Sequence, residues 1–185
     1  MKKIAIVALK GGVGKSSICA GLVLSLVEKG FKVGALDIDV TGSNLYSALG
    51  LEHSPKWQLD TAREKVIVPR VNDYWLLSIA SHVGEDYAVL WGRSQHLDLS
   101  RIREKIKKLA EHVGSVSIEL EALGREIDDI LSQSKWRFVS ELVSEDIVTW
   151  PEPLDFLVAD LPPSTSEEMF SFLEQVKDLF GVIIV

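Results

Sequence analysis

The sequence predicts an α/β fold in which helices cover a mainly parallel, doubly wound sheet. Apolar runs rich in β-branched residues occur at 4–9, at 32–39 and within 155–166, and such continuous runs are typical of strands buried on both faces. Stretches with helical character, such as 16–30, separate these runs. The 185 residues are 46% apolar and 25% charged, which is enough for one domain with a sizeable core.

The first fifty residues are predicted to form a βαβ unit. The first strand leads into a glycine-rich loop and then into the helix 16–30, for which Gly30 is placed as the C-terminal stop. The second strand, 32–39, ends in two aspartates. The segment 41–51 turns into a short helix, for which Ser43 is the expected N-cap.

A polar stretch and a hairpin are predicted next. Residues 52–64 carry few apolar side chains, so we expect a loop there. The segments 66–70 and 74–80 are rich in strand-forming residues, and the Asn72-Asp73 pair between them predicts a hairpin turn.

The C-terminal part continues the alternation of strands and helices. A proline-containing loop follows the third apolar run, and 166–180 is predicted to be a helix. The last residues, 181–185, begin another strand that we expect to be buried. The further strands and helices of such a sheet are therefore expected to be missing from this sequence.

A run of heptads interrupts the alternation in the middle of the chain. One reading of it is a continuous helix over 98–132, about 50 Å long at the standard rise, and the other is a helical hairpin broken at Gly114. We expect a helical insertion at 98–145 within a domain formed by 1–97 and 146–185. The apolar residues spaced by four and three are Ile102, Ile106, Leu109, Val113, Val116, Leu120, Leu123, Ile127 and Ile130.

The bulk composition narrows the possible functions. A net charge of −7 argues against nucleic acid as the main partner, so no DNA partner is expected. A single cysteine excludes a disulfide framework and a cysteine-built metal site within the chain. The N-terminal apolar run is too short for a signal peptide, and no apolar stretch is long enough to cross a bilayer. We therefore predict a cytoplasmic protein, and because we find no C-terminal amphipathic basic helix we expect no membrane partner.

The string KGGVGKSS at 10–17 is the strongest functional signal. A strand, a glycine-rich turn and a helix start together make a phosphate cradle of backbone N–H groups. Lys15 can reach the β- and γ-phosphates of a nucleotide, and the Ser16 hydroxyl is placed to bind Mg²⁺. The usual motif has a glycine where this chain has Leu9, and this loop adds a second lysine, Lys10. The predicted nucleotide-binding residues are Lys10, Gly11, Gly12, Val13, Gly14, Lys15, Ser16 and Ser17.

The loop resembles the deviant Walker A motif of the MinD/ParA/Mrp family of P-loop ATPases. The resemblance implies ATP and Mg²⁺ as ligands and a homodimer that forms on the nucleotide. It gives the additional lysine a role, because in that family the residue matching Lys10 reaches the partner's nucleotide and stabilises charge on the transferring phosphoryl group. Lys10 and Lys15 would thus both be catalytic.

Two further segments resemble the family's switch regions. LDIDVTGSN resembles switch I, which implies that Asp39 orients the attacking water and binds near Mg²⁺, with Asp37 supporting the metal shell. FLVADLPPSTS resembles switch II of the Mrp branch and implies that Asp160 holds Mg²⁺ through water. The implied metal residues are therefore Ser16, Asp39 and Asp160. Ser164 departs from the family pattern, which has a glycine at that position.

The resemblance is closest to the Mrp branch of iron–sulfur carriers and scaffolds. Trp91-Gly92-Arg93 resembles a permuted form of that branch's Trp-Arg-Gly segment. Carriers of this kind use a paired-cysteine motif, whereas this chain has only Cys19, among apolar neighbours of the first helix, where we expect it to be buried. We therefore expect no iron–sulfur cluster in this chain.

These inferences favour an ATPase that binds Mg-ATP, hydrolyses it slowly, dimerises on nucleotide and regulates a partner, with iron–sulfur assembly as the implied pathway. One alternative is a catalytically weak nucleotide-binding module that dimerises, or binds a protein partner, through the helix 98–132. Another is a partitioning or positioning ATPase of the ParA/MinD type.

Overall fold

The computed structural model describes one compact unit of the chain, which combines Met1–His82 with Val139–Val185. The predicted heptad helix and the Trp91-Gly92-Arg93 segment lie outside the described residues, as does nearly all of the predicted insertion, so these remain predictions. The described residues are 1–39, 42–60, 62–63, 65–78, 139, 142–144, 146–163 and 167–185.

Strands alternate with helices along the described part of the chain. The strands are β1 (Lys2–Val7), β2 (Val33–Asp37), β3 (Gln58–Asp60), β4 (Lys65–Ile67), β5 (Arg70–Val71), β6 (Tyr74–Ser78), β7 (Val148–Thr149), β8 (Phe156–Asp160) and β9 (Leu179–Ile184). The helices are α1 (Lys15–Glu28), α2 (Leu45–Ala48) and α3 (Glu167–Gln175).

Six strands form one mainly parallel sheet in the order β5-β6-β2-β8-β1-β9. All its neighbouring pairs are parallel except β5 and β6, which form the predicted hairpin around Asn72. β2 and β6 are buried along their whole length, as their continuous apolar runs predict. The sheet and its helices confirm the predicted α/β fold class.

Helix α1 joins β1 to β2 and packs against the sheet. Its buried face includes Cys19, Ala20 and Val23, which confirms the predicted burial of the cysteine. The helix ends where the sequence predicts, because Gly30 adopts φ +84° and donates a hydrogen bond to the Val27 carbonyl. This side of the sheet contributes a core that also takes in Leu45 from α2 and Tyr74 from β6.

The predicted loop at 52–64 is wrong in part, because it contains β3. The predicted strand at 66–70 is also divided, since β4 belongs to a second sheet of order β3-β4-β7 and only β5 joins the main sheet. Val66 of β4 pairs with Val148 of β7, far away in the sequence. Short-range patterns therefore did not indicate this sheet.

The C-terminal elements differ from their predictions in length and burial. Helix α3 is shorter than the predicted 166–180, and β9 starts at Leu179 rather than at 181. β9 pairs only with β1 in the described sheet, and its Phe180, Val182 and Ile184 are exposed. The prediction of a buried last strand is therefore wrong. Among the described helices, none has the length and apolar character that a bilayer crossing requires.

Gly34 is the second residue of β2, and neighbouring side chains pack directly on its backbone. A Cβ at this position would lie 2.6 Å from Leu154 Cδ1 and 2.9 Å from Trp150 Cζ3. Gly21, on the exposed face of α1, has no described atom within 4 Å of such a Cβ outside its own helix. The two glycines therefore allow the same substitution to be compared at a crowded and at an open position.

We predict opposite effects of alanine at these two glycines. Gly34→Ala should lower the free energy of unfolding by about 1–3 kcal/mol, because Leu154 and Trp150 must move. Gly21→Ala should raise it by about 0.5–1 kcal/mol, because alanine favours the helix. Urea unfolding of both variants and the wild type measures this. Equal effects of the two substitutions would contradict the close packing over β2.

Candidate phosphate-binding site

The loop between β1 and α1 has the backbone conformation of an anion cradle. Gly12 and Gly14 adopt φ values of +76° and +94°, which side chains disfavour, so the loop needs glycine at these two positions. Gly14 is the N-cap of α1, and Ile18 N–H donates to its carbonyl oxygen at 2.9 Å. In the described part of the chain no side chain caps this helix start, and its first turn has no acidic residue. The open N–H groups and the helix dipole therefore favour a bound anion.

The loop lines a cavity of about 250 Å³ together with residues that follow β2 and β8. The lining residues are Lys10, Gly11, Gly12, Gly14, Lys15, Ser16, Ser17, Asp39, Asn44 and Pro163. Two of the predicted site residues do not line it. Val13 is exposed, and Asp160 is buried and paired with Lys15, which does line the cavity.

Asn44 and Pro163 line the cavity although neither is among the predicted site residues, and Asn44 was given no role by the sequence analysis. Its position in the sequence could have indicated a role at the site, because it follows the Asp-x-Asp pair by five residues, at the start of α2. The predicted cap, Ser43, is wrong, since Asn44 holds the N-cap position. The Ser43 hydroxyl donates instead to Asp37 Oδ2 at 2.5 Å.

The two lysines of the loop have different environments. The Lys15 ammonium is buried and forms an ion pair with the Asp160 carboxylate at the end of β8, and both side chains are almost inaccessible to solvent. Lys10 lines the same cavity but is exposed. Lys15 is thus fixed inside the domain, whereas Lys10 lies at its surface.

Asp37 joins the end of β2 to the following loop and helix. Its Oδ2 accepts hydrogen bonds from the Ser43 hydroxyl and from the Leu45 N–H, the latter at 3.2 Å. The Ser78 hydroxyl at the end of β6 lies 2.9 Å from that of Ser43 and 3.5 Å from Asp37 Oδ2. Because these groups come from three separate elements, Asp37 holds the loop after β2 against the sheet.

Burial controls the ionisation of Asp37. The pKa of its carboxyl is raised to about 6, mainly because burial desolvates the group; the hydrogen bond from Ser43 lowers the pKa, and the nearby Asp160 carboxylate contributes to the increase. Burial also raises the pKa of the Cys19 thiol well above its ordinary value, and the Asp160 and Asp37 carboxylates add to this effect. A buried thiol of this kind is unreactive and a poor metal ligand.

Asp39 lies at the cavity and is held by two hydrogen bonds, one to the Asp37 carboxylate and one from the Gly42 backbone. Its N–H donates to Asp37 Oδ1 at 3.2 Å, and its Oδ1 accepts from the Gly42 N–H at 2.9 Å. Its side chain therefore has a fixed position in the wall.

The oxygen donors of the site fit Mg²⁺ better than a transition metal. The described residues contain no group of three or more histidine, cysteine, aspartate or glutamate side chains placed to hold a metal ion. Mg²⁺ needs no such group, because it keeps water ligands and binds through one or two protein oxygens and the phosphates of its nucleotide. The hydroxyl of Ser16 and the carboxylate of Asp39 line the cavity, and Asp160 lies next to it.

Comparison with known proteins agrees with this geometry. A family model described as ParA, NUBPL iron-transfer P-loop NTPase, matches residues 1–119. The cytosolic Fe-S cluster assembly factor CFD1 of Candida albicans is 30% identical over 185 residues, which cover 98% of this chain and 54% of that protein. The iron-sulfur cluster carrier protein of Pyrococcus horikoshii is 27% identical over 191 residues, covering 99% of this chain and 50% of that protein. The chain spans about half the length of these curated relatives.

A solved structure also resembles the chain. The nucleotide-binding protein in complex with ADP from Archaeoglobus fulgidus has a TM-score of 0.55 and 26% sequence identity. The match covers 100% of this chain and 53% of that one. It agrees with the fold that the glycine loop and the strand pattern predict.

The ion pair between Lys15 and Asp160 leads to a prediction about stability without nucleotide. Lys15→Met and Asp160→Leu should each lower the free energy of unfolding by about 3 kcal/mol, because each leaves one buried charge without its partner. The double variant should be less destabilised than the sum of the two, which urea unfolding measures.

The exposed pair of Lys32 and Glu152, whose charged atoms are 2.8 Å apart, is the control. Lys32→Met should leave the unfolding curve unchanged, because solvent screens this pair. Additive effects of the Lys15 and Asp160 substitutions would contradict a direct buried interaction.

Proposed function

Because this chain belongs to the NUBPL iron-transfer P-loop NTPase family, we propose that it binds Mg-ATP and hydrolyses it slowly. We further propose that it dimerises on the nucleotide and regulates a partner in iron–sulfur cluster assembly. The two relatives, an Fe-S cluster assembly factor and an iron-sulfur cluster carrier, support this pathway. The name of the first also includes the word cytosolic, which supports the same compartment for this chain.

The cavity at the start of α1 is the observation that carries the proposal. Backbone N–H groups, two lysines and two serine hydroxyls surround one space, and the helix start supplies partial positive charge. This combination of hydrogen-bond donors and positive charge is complementary to a triphosphate. Such sites act mainly by positioning the phosphates and stabilising their charge, because phosphoryl transfer needs little covalent help from the protein.

Each residue around the cavity has a separate role in the proposed reaction. Lys15 contacts the β- and γ-phosphates, and the backbone of Gly11 to Gly14 holds the phosphate oxygens. Ser16 would hold Mg²⁺ directly, and Asp39 and Asp160 would hold it through water. Bound Mg²⁺ neutralises charge on the phosphates.

Asp39 is proposed to orient the attacking water. Its carboxylate lines the cavity and accepts the Gly42 N–H, so its position does not depend on the ligand. A fixed acceptor of this kind can hold a water molecule in line with the terminal phosphate. Asp37 supports it through the Asp39 N–H.

Lys10 is proposed to act on the nucleotide of a second copy of this chain. It is exposed at the cavity, whereas Lys15 is already buried against Asp160. A cation supplied by the second copy would stabilise the transition state as an arginine finger does. The dimer would then be required for hydrolysis.

We propose that this chain contributes the nucleotide-dependent step, because the cavity at the start of α1 suits a nucleotide and Cys19 is buried. The segment 98–132 remains our proposed contact for a protein partner. The proposal requires neither DNA nor a membrane.

We predict that Lys15→Ala and Asp39→Ala affect binding and turnover differently. Lys15→Ala should weaken Mg-ATP binding at least tenfold, because a charged hydrogen bond to phosphate is lost. Asp39→Ala should retain binding and lower turnover by about 100-fold. Calorimetry and phosphate release measure the two quantities.

Lys29→Ala is the matched control, since this lysine is exposed beyond the other end of α1 and should affect neither quantity. A wild-type chain that does not bind Mg-ATP would overturn the proposal. Turnover that survives Lys15→Ala unchanged would show that the activity belongs to another site or protein.

Mixing two variants of low activity tests the role of Lys10. Lys10→Ala and Asp39→Ala should each retain only a small fraction of the wild-type activity when tested alone. In a mixed dimer, the Asp39→Ala subunit still supplies Lys10 to the intact site of the other subunit. Random mixing should therefore restore about a quarter of the wild-type activity, since half of the dimers have one complete site. Activity that stays at the level of the separate variants would place Lys10 in the site of its own chain.

A further inference from the structure

We propose that Asn44 is a specificity-determining residue whose side-chain amide distinguishes ATP from ADP. The inference rests on the proposed function, because it concerns the same cavity. It follows from where Asn44 lies, from what its side chain does not do, and from the chemistry of the groups around it.

Asn44 lies in the part of the wall that the terminal phosphate would meet. The loop 10–17 and the start of α1 supply most of the lining, and their backbone N–H groups suit the α- and β-phosphates. Asp39, Asn44 and Pro163 come instead from the loops after β2 and β8. A group that projects beyond the cradle contacts these residues, and in ATP this group is the γ-phosphate.

The side chain of Asn44 is not used to start its helix. An asparagine at an N-cap usually accepts a hydrogen bond from a backbone N–H in the first turn. Among the described residues, no such bond joins the Asn44 side chain to α2. Asp37 acts there instead, because its Oδ2 accepts the Leu45 N–H at 3.2 Å. The N–H of Leu45 at the helix start is therefore bonded by a residue of the sheet, and the amide of Asn44 remains at the cavity.

An amide suits this position chemically. It offers two N–H donors to phosphate oxygens and one carbonyl acceptor to water, and it adds no charge. Lys10 and Lys15 already supply the positive charge, and Asp39 supplies a negative one. A carboxylate in place of Asn44 would repel the terminal phosphate, whereas an amide can bind it.

The test compares two nucleotides in three variants of the chain. Asn44→Ala removes the amide, Asn44→Asp keeps its shape but replaces it with a carboxylate, and Ser47→Ala changes an exposed residue of α2 that does not line the cavity. Calorimetry measures the Kd of ADP and of a slowly hydrolysed ATP analogue, both with Mg²⁺. Thermal melting without nucleotide measures any structural effect.

We expect Asn44→Ala to weaken the analogue about fivefold to tenfold and to leave the Kd of ADP within about twofold, as the loss of one hydrogen bond predicts. Asn44→Asp should weaken the analogue more strongly, while its melting temperature stays close to that of the wild type, because among the described residues the Asn44 side chain makes no capping hydrogen bond to α2 that could be lost. Ser47→Ala should change neither Kd.

Each other outcome has a distinct meaning. If both Asn44 variants weaken the binding of ADP and of the analogue equally, or weaken neither, then Asn44 does not contact the terminal phosphate. The proposed function would still stand. If Asn44→Ala fails to fold, the two Kd values of Asn44→Asp alone test whether Asn44 distinguishes the two nucleotides. If the wild-type chain binds neither nucleotide, the proposed function and this inference are both wrong.

Discussion

The buried ion pair between Lys15 and Asp160 is the contact on which the geometry of the site depends. It joins the first residue of α1 to the last residue of β8, and both side chains are almost fully removed from solvent. Burial of two charges is expensive, so such a pair adds little to stability but strongly disfavours any arrangement that separates the two groups. The start of α1 therefore has one position relative to the sheet. A phosphate that enters the cavity finds the ammonium already in place, and it must compete with a carboxylate for it.

The register of the parallel sheet places the other polar groups around this pair. Ser78, Asp37, Asp160 and Ile6 are consecutive partners across β6, β2, β8 and β1. Because parallel strands end at one edge, residues that are distant in the sequence meet there, where open α/β sheets bind ligands. The proximity of the Asp160 carboxylate contributes to the raised pKa of Asp37. The hydrogen bonds from Ser43 and Leu45 then connect this edge to the loop that contains Asp39, so the loop and the sheet form one wall.

The sequence predicted those parts of the fold that short-range patterns determine. The first strand, the glycine loop, α1 with its stop at Gly30, and the hairpin around Asn72 follow from neighbours in the chain, and the structure contains them. The prediction failed where contacts between residues that are distant in the sequence determine the structure. β4 forms a sheet through Val148, Asp37 replaces Ser43 at the start of α2, and β9 is exposed because burial depends on what covers a strand rather than on its own composition. The same reason explains why Asn44 was missed, since only the folded sheet shows that its amide is not needed by the helix.

The different burial of the two lysines explains why one loop can contain both. A single lysine held by Asp160 cannot also extend beyond the domain, because moving it would leave a buried carboxylate without its partner. A second cation that acts outside its own chain must therefore come from a residue without such an anchor, at the solvent side of the same cavity. Lys10 meets this requirement, since it is exposed and precedes glycines that have no side chains to obstruct it. The additional lysine of the motif is thus consistent with two sites that share their charges, in which each chain keeps one ammonium and provides the other to its neighbour.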